Sequence, residues 1–267
     1  MVIIYITYIM LIIFIMLKKT VDIILPVYNS KKYILTTINS IIRQSFKSWN
    51  LIIIDDCSDD GTFEILKNIQ KRYNKYNKIF LYRQNINQGQ AVARNLGLNR
   101  AKSTFVAFID SDDVWEKNKL RNQIQFMKNN NYNFTYSDYV SVKNKNTQKL
   151  IIVPNSYDYN SFVRDTSIAT STMIIKRNFI KNISFPSKRL CEDFYFKCLI
   201  LKKTKAYKCS LVHTYYRIRN NSLQNSRMKV LFAVWDINKN LNKMNFFSNL
   251  LSVFFITYNS LKKYGLR

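Results

Sequence analysis

Seven of the chain's 16 acidic residues fall in two short loops. One is Asp55-Asp56-Cys57-Ser58-Asp59-Asp60-Gly61-Thr62, after an apolar run; the other is Asp110-Ser111-Asp112-Asp113-Val114-Trp115, after a second run. Pro26-Val27-Tyr28-Asn29 follows a third run, and Glu192-Asp193 stands ahead of a helical pattern. These residue types suit displacement of a nucleoside diphosphate. Charge grows on that group as it departs, and a hard cation such as Mg²⁺ or Mn²⁺ stabilises it as a Lewis acid. Such a cation takes oxygen ligands and keeps waters, so one or two carboxylates suffice. Asp110 and Asp112 can serve a ribose and that metal respectively, and Asp113 is a second candidate ligand. Pro26 and Tyr28 can form a flat contact for a base, and Asp56 can accept from its ring N–H. An attacking hydroxyl must lose its proton, and Asp193 is placed to take it, because the first turn of a helix favours the ionised form.

Each residue also has a plainer use. An Asp-x-Asp triplet alone is often a solvated turn or a cap. Asp56 can cap the turn before Gly61, Tyr28 can be a core aromatic, and Asp193 can be a helix-start residue. His213 lies in an apolar strand pattern and reads as a packed histidine. Cys57, Cys191, Cys198 and Cys209 form no C-x-x-C pair, which argues against a structural zinc site. They do not look like a disulfide framework either, and a reducing compartment fits.

The elements that would position these groups alternate. Val21–Leu25 predicts a strand and Lys31–Arg43 a helix with Ile34, Ile38 and Ile41 on one face. Leu51–Ile54 predicts a strand, Thr62–Tyr73 a helix, Ile79–Tyr82 a strand, Ala91–Ala101 a helix and Thr104–Ile109 a strand. Such alternation implies an α/β fold with a mostly parallel sheet, whose ligands bind beyond the carboxyl ends of the strands. Further on, Phe134–Val142, Leu150–Val153, Thr172–Ile175 and Ala206–Tyr216 read as β, and Glu192 to about Lys202 as helix.

Lys+Arg of 42 against Asp+Glu of 16 gives a net charge of +26. The basic residues are spread along the chain, as a biased composition would spread them, and no nucleic-acid module is visible. Met1 to Leu17 is almost wholly apolar and precedes Lys18-Lys19. It reads either as an anchor at the short limit for crossing a bilayer or as an extension upstream of a start at Met16. From about Met228 the apolar spacing is helical with lysines between. That tail fits an interfacial segment on an inner-membrane surface, or a helix pair packed on the body.

Five stretches stand in an order that resembles family 2 glycosyltransferases of the GT-A nucleotide-sugar fold. They are Val21-Asp-Ile-Ile-Leu-Pro-Val-Tyr-Asn29, Ile54-Asp-Asp-Cys-Ser-Asp-Asp-Gly-Thr62, Asn87-Gln-Gly-Gln-Ala-Val-Ala-Arg-Asn95, Phe108-Ile-Asp-Ser-Asp-Asp-Val-Trp115 and Cys191-Glu-Asp-Phe194. The resemblance implies inverting transfer of one sugar from a nucleotide-diphosphate sugar to a glycan or lipid-linked glycan, in bacterial surface polysaccharide synthesis. It implies that Asp56 reads the base, Asp110 the ribose region and Asp112 the metal, with Asp193 the general base. Arg94 and Asn95 match an element that shapes the donor pocket. Thr170-Ser-Thr-Met173 and Tyr216-Arg-Ile-Arg-Asn-Asn-Ser222 resemble acceptor-side segments, and Arg217 and Arg219 of the second would close over the diphosphate; Glu192 is a further candidate for contact with the acceptor or the diphosphate. Cys57 stands where Gly is usual, and the Gln-x-x-Arg-Trp sequence of processive synthases is absent.

The expected organisation is a hydrophobic segment 1–20, a donor half 21–130, an acceptor and catalytic half 131–225, and a helical tail 226–267. The expected place is the cytoplasm, at the membrane face. Competing expectations are a non-catalytic nucleotide-sugar-binding subunit of an assembly complex and a basic nucleic-acid or membrane binder. An oxidoreductase is disfavoured, because no glycine-rich turn follows the first strand.

Overall fold

The computed structural model describes residues 20–73, 78–144, 147–188, 190–211, 214–218 and 226–264. The expectations for the N-terminal segment, His213 and Arg219 fall outside these residues. β1 (Val21–Val27) is buried along its whole length, as a strand covered on both faces and paired on both edges must be. It runs parallel to β2 (Trp49–Asp55) and β4 (Phe105–Phe108), and β2 runs parallel to β3 (Ile79–Arg83). The crossovers are α1 (Ile34–Ile42), α2 (Thr62–Tyr73) and α3 (Gln90–Arg100). α1 buries Ile34, Ile38 and Ile41, and α2 buries Leu66 and Ile69, the periodic faces visible in the sequence. Asp22, an acid inside β1, accepts from the amides of Lys102 at 2.6 Å and Ser103 at 2.7 Å, so its burial is compensated.

The second half of the chain continues the same sheet with β6 (Phe134–Tyr136), β9 (Ser156–Tyr157), β10 (Ile174–Lys176) and β11 (Ala206–Lys208). Among the described residues the order is β3-β2-β1-β4-β10-β6-β11-β9, with β10 antiparallel to both neighbours. A smaller sheet joins β5 (Val114–Trp115), β7 (Tyr139–Asn144), β8 (Thr147–Ile151) and β12 (Thr214–Arg217) in the order β5-β12-β7-β8. Helices α4 (Lys119–Asn129), α5 (Tyr159–Phe162) and α6 (Glu192–Leu201) pack around them, and α7 (Arg227–Asn240) and α8 (Phe246–Tyr264) follow.

Two expected strands are each divided between the sheets. Phe134–Val142 breaks at Ser137-Asp138, where the Asp138 carboxylate turns to accept the Val153 amide at 2.8 Å, and Ala206–Tyr216 ends its first part at Lys208. The tail pattern breaks near Lys243, whose φ of 57° no helix interior adopts. α4 was not foreseen, although Leu120, Ile124 and Met127 give it a buried face at helical spacing.

The strand order turns at β1, which has β2 on one side and β4 on the other. Its pairing with β4 stops at Ile24↔Phe108, while pairing with β2 runs on to Val27↔Asp55. The strand ends therefore part and open a crevice where such sheets take ligands. The Ile24 carbonyl accepts from Ile109, so Pro26, two residues on, faces the same side, where no ladder bond needs its missing N–H. Gly97 lets α3 lie close against β1, since a Cβ there would come within 2.5 Å of Ile24 Cγ2. Gly97→Val should destabilise the fold by about 2 kcal/mol or more through overpacking. Urea denaturation checks this, and an unchanged midpoint would contradict the packing described.

Candidate functional site

The loops beyond β1, β2 and β4 meet at the crevice, and α6 brings its first turn to the same place. Tyr28, just past β1, is 45% exposed. Ser30 Oγ lies 2.6 Å from Ser111 Oγ and donates to the Tyr28 carbonyl, tying that loop to the one after β4. Asp55 turns away to Arg83, Nε to Oδ2 at 3.3 Å.

Asp56 is almost fully buried, and its carboxylate organises the start of α3. Oδ1 accepts from Gln84 Nε2 at 2.5 Å and the Gln88 amide at 2.8 Å, and Oδ2 accepts from the Gly89 amide at 2.8 Å. An ionised carboxylate has about four acceptor directions, so one on Oδ2 is left over. Gly89 has φ +91°, which glycine adopts freely.

Arg94 is 2% exposed and bridges two carboxylates from distant parts of the chain. Nη2 donates to Asp110 Oδ1 at 2.7 Å and Nη1 to Glu192 Oε1 at 2.8 Å. Its flat face lies 5.3 Å from the Phe185 ring centroid. Gln90 Nε2 also donates to Asp110 Oδ1, at 2.9 Å. Both bonds thus fall on one oxygen, and among the described residues Oδ2 of Asp110 takes none.

The 3₁₀ turn Thr170–Thr172 ties the same groups from the other side. Ser171 Oγ accepts the Asp110 amide at 3.0 Å and donates to Asp113 Oδ2, and Trp115 Nε1 donates to the Ser171 carbonyl at 2.8 Å. Thr170 Oγ1 donates to Asp193 Oδ2 at 2.9 Å, as does Lys197 Nζ at 2.7 Å, one turn along α6. Oδ1 of Asp193 takes no bond among the described residues, and the side chain keeps 24% exposure. Burial works to raise this carboxyl, but the Lys197 ammonium and the Arg94 guanidinium outweigh it and bring the value to about 2. For Glu192 burial prevails, and its carboxyl rises despite Arg94.

Asp113 has a different part from the one expected. It is fully buried, with Oδ2 on Ser171 and Oδ1 accepting the Arg217 amide at 2.9 Å. Burial, with Asp112 and Asp110 beside it, pushes its carboxyl well above the usual range. A group so enclosed fastens β12 to the loop. Asp112 is half-buried at the crevice, and Arg217 Nε donates to its carbonyl at 3.3 Å while the guanidinium lies 4.7 Å from the Tyr33 ring. Glu192 is taken up by Arg94, and Asn95 exchanges two bonds with the Phe185 backbone, at 2.9 and 2.8 Å. Lys197 was missed in the sequence, where its place four residues after Asp193 on a recognised helix was the signal.

No three His, Cys, Asp or Glu side chains among the described residues converge as a metal cage. The loop after β4 suits instead a hard cation that shares its ligands with phosphate and water. The four cysteines are free, and burial pushes Cys191 and Cys198 to about 12.

Residues 22–183 match the family model described as Glycosyl transferase family 2. The sequence is 33% identical over 249 residues to TuaG of Bacillus subtilis (strain 168), named for teichuronic acid biosynthesis, covering 92% of this chain and 98% of that one. It is 34% identical over 247 residues to WfaP of Escherichia coli, a UDP-Glc:alpha-D-GlcNAc-diphosphoundecaprenol beta-1,3-glucosyltransferase, covering 92% and 96%. Among solved structures, S. aureus TarS 1–349 in complex with UDP-GlcNAc aligns with a TM-score of 0.69 at 21% identity, over 91% of this chain and 75% of that one. The mannosyltransferase PcManGT of Pyrobaculum calidifontis, with GDP-Man and Mn²⁺, aligns with a TM-score of 0.66 at 16% identity, over 88% and 69%. These structural likenesses establish the fold.

Arg94→Met would leave Glu192 and Asp110 without their cation and should cost about 3–5 kcal/mol in urea denaturation. Asp193 has its native value below the ordinary 3.8, so its stabilisation is complete above pH 3.8 and is lost as pH falls toward about 2. A carboxyl NMR titration, assigned with Asp193→Asn, should show no protonation of Asp193 above pH 5.

Proposed function

Because the chain belongs to glycosyl transferase family 2 and has the GT-A fold, we propose that it moves one sugar, with inversion, from a nucleotide-diphosphate sugar to a lipid-linked glycan. The observation that carries this reading is the Arg94 bridge. It holds a carboxylate after β4 and the first turn of α6 on either side of one crevice, and among the described residues Asp110 Oδ2 and Asp193 Oδ1 are unengaged.

Tyr28 supplies the flat contact for the base, beside Pro26, and the remaining acceptor direction of Asp56 suits a ring N–H. Asp110 offers Oδ2 to the ribose, and Asp112 is the residue we assign to a divalent cation, Mg²⁺ or Mn²⁺. Bound there, the cation would supply Lewis-acid stabilisation of the departing diphosphate. Arg217, beside Asp112, is suited to the same negative charge. On the other side Asp193 receives the acceptor's hydroxyl proton on Oδ1 as the hydroxyl oxygen bonds to the anomeric carbon. The bond from that carbon to the diphosphate breaks on the opposite face, and the diphosphate leaves with the electron pair. Thr170 and Lys197 hold Oδ2 and fix which oxygen faces the hydroxyl. Lys197 also donates to the Ile168 carbonyl at 2.7 Å, so the ammonium is anchored independently of the acid it orients.

The acceptor class follows from the names of the relatives, one of which acts on a diphosphoundecaprenol-linked sugar. On this reading residues 21–130 serve the donor and 131–225 the acceptor, with both ranges contributing strands to each of the two sheets. The reaction belongs at the cytoplasmic face of a membrane, in surface polysaccharide synthesis. A non-catalytic binding subunit has no support in the relatives, which are named as transferases.

Thermal shift with a panel of nucleotide sugars, with and without Mn²⁺, should pick out one donor and show the shift growing with the metal. Asp193→Asn should keep that shift and lower turnover about 10²- to 10⁴-fold. Asp112→Asn should lose the metal-dependent part of the shift together with turnover. Full turnover in either variant would end the corresponding assignment.

A further inference from the structure

α8 is seated inside out. Its inward face is polar: Asn249 Nδ2 donates to the Trp235 carbonyl at 3.0 Å, Asn238 Nδ2 to Ser252 Oγ at 2.9 Å, and Ser252 Oγ to the Val163 carbonyl. Asn259 Nδ2 donates to the Arg164 carbonyl at 3.1 Å, and Lys263 pairs with Asp165 at 2.6 Å. Positions 249, 252, 256, 259 and 263 alternate by three and four, so this is one continuous stripe, with Ile256 its apolar member. The opposite face carries Phe246, Phe247, Leu250, Leu251, Phe254 and Tyr258, all exposed, Phe247 to 76% and Phe254 to 62%. α7 reaches this face through Trp235, whose ring lies 5.6 Å from that of Phe246, and exposes Phe232 to 68%. A water-facing helix ordinarily buries its apolar stripe. Here specific hydrogen bonds lock the polar stripe inward, so the apolar one is presented by design of the seat and not by looseness. An apolar surface of this extent marks a contact with something else.

We infer that this face docks the chain on the anionic surface of a bilayer leaflet. Lys229, Lys239, Lys243 and Lys262 are exposed on the same two helices and the turn between them, and the Arg164 guanidinium lies 5.9 Å from the Phe255 ring. From residue 226 to the C-terminus Asp236 is the sole acid, and it is paired with Lys188. A leaflet of negative charge satisfies both aromatic and basic groups, whereas a second copy would bring another chain of +26 against the first. Among the described residues no helix is long and apolar enough to cross a membrane, so α8 lies in the interface plane. The inference rests on the lipid-linked acceptor reading for its purpose, but its test needs no turnover.

The full chain carrying Phe254→Trp, with vesicles of brominated-chain phosphatidylglycerol, should show quenched and blue-shifted emission from the new indole, read as the difference from the parent chain with its three native tryptophans. Brominated phosphatidylcholine vesicles should quench it far less. Phe247→Ser with Phe254→Ser, both exposed positions, should bind phosphatidylglycerol vesicles about tenfold or more weakly. The same variant should keep its turnover on a soluble acceptor and lose it on an acceptor embedded in vesicles. A reporter left unquenched overturns the proposal, however firmly any other segment holds the chain to lipid. Equal quenching in both lipids overturns the role of charge, and emission that follows protein concentration instead of lipid assigns the face to a second copy. Vesicle docking with no transfer from any donor would sink the glycosyltransferase mechanism and leave the docking face standing.

Discussion

A guanidinium with almost no access to water sits between a carboxylate from the loop after β4 and another from the first turn of α6. Neither side could be buried alone. Desolvating Arg94 without partners would cost several kcal/mol, and Glu192 without Arg94 would be an uncompensated buried charge. The two halves of the chain therefore satisfy each other at this point, 98 residues apart in sequence. The geometry is rigid because a guanidinium is planar and its two terminal nitrogens diverge in fixed directions. Among the described residues its third nitrogen, Nε, takes no hydrogen bond, which concentrates the ion's bonding on the two acids.

The same economy recurs around it. Asp110 and Asp193 are each gripped by two donors through one oxygen. Asp113 is gripped through both and holds β12 to its loop, while Asp56 is gripped through both and still has one acceptor direction left on Oδ2 among the described residues. Four aspartates in one neighbourhood thus differ in how far they are enclosed, and the difference follows from how their oxygens are occupied. The turn Thr170–Thr172 contributes to three of them through two hydroxyls, Ser171 to Asp110 and Asp113 and Thr170 to Asp193, while the Thr172 hydroxyl closes the turn on the Ala169 carbonyl.

Much of the first half was legible because its signals are local. The strand and helix periods from Val21 to Ile109 place every crossover, and the acids gather where three strands end. The family order of motifs extended this to Arg94, whose side chain no local pattern would have singled out. The acceptor side was harder. Phe134–Val142 and Ala206–Tyr216 have the composition of single strands, and only tertiary pairing assigns their parts to different sheets. Asp112 and Asp113 are neighbours of identical type, and nothing in spacing says which is turned inward. That choice is made by Ser171 and the Arg217 amide, 58 and 104 residues away. The tail's helical period was plain, but a period does not say which side of a helix faces the body, and here the polar side does.

The double grip on Asp193 has a bearing on how that carboxylate can turn. Lys197, one turn along the same helix, and Thr170, on the 3₁₀ turn, both hold Oδ2. Rotation about the bond to the carboxyl carbon would break both bonds at once, at about 1 kcal/mol or more apiece. A carboxylate in open water swaps its two oxygens freely; this one is handed, with Oδ1 kept to a single heading.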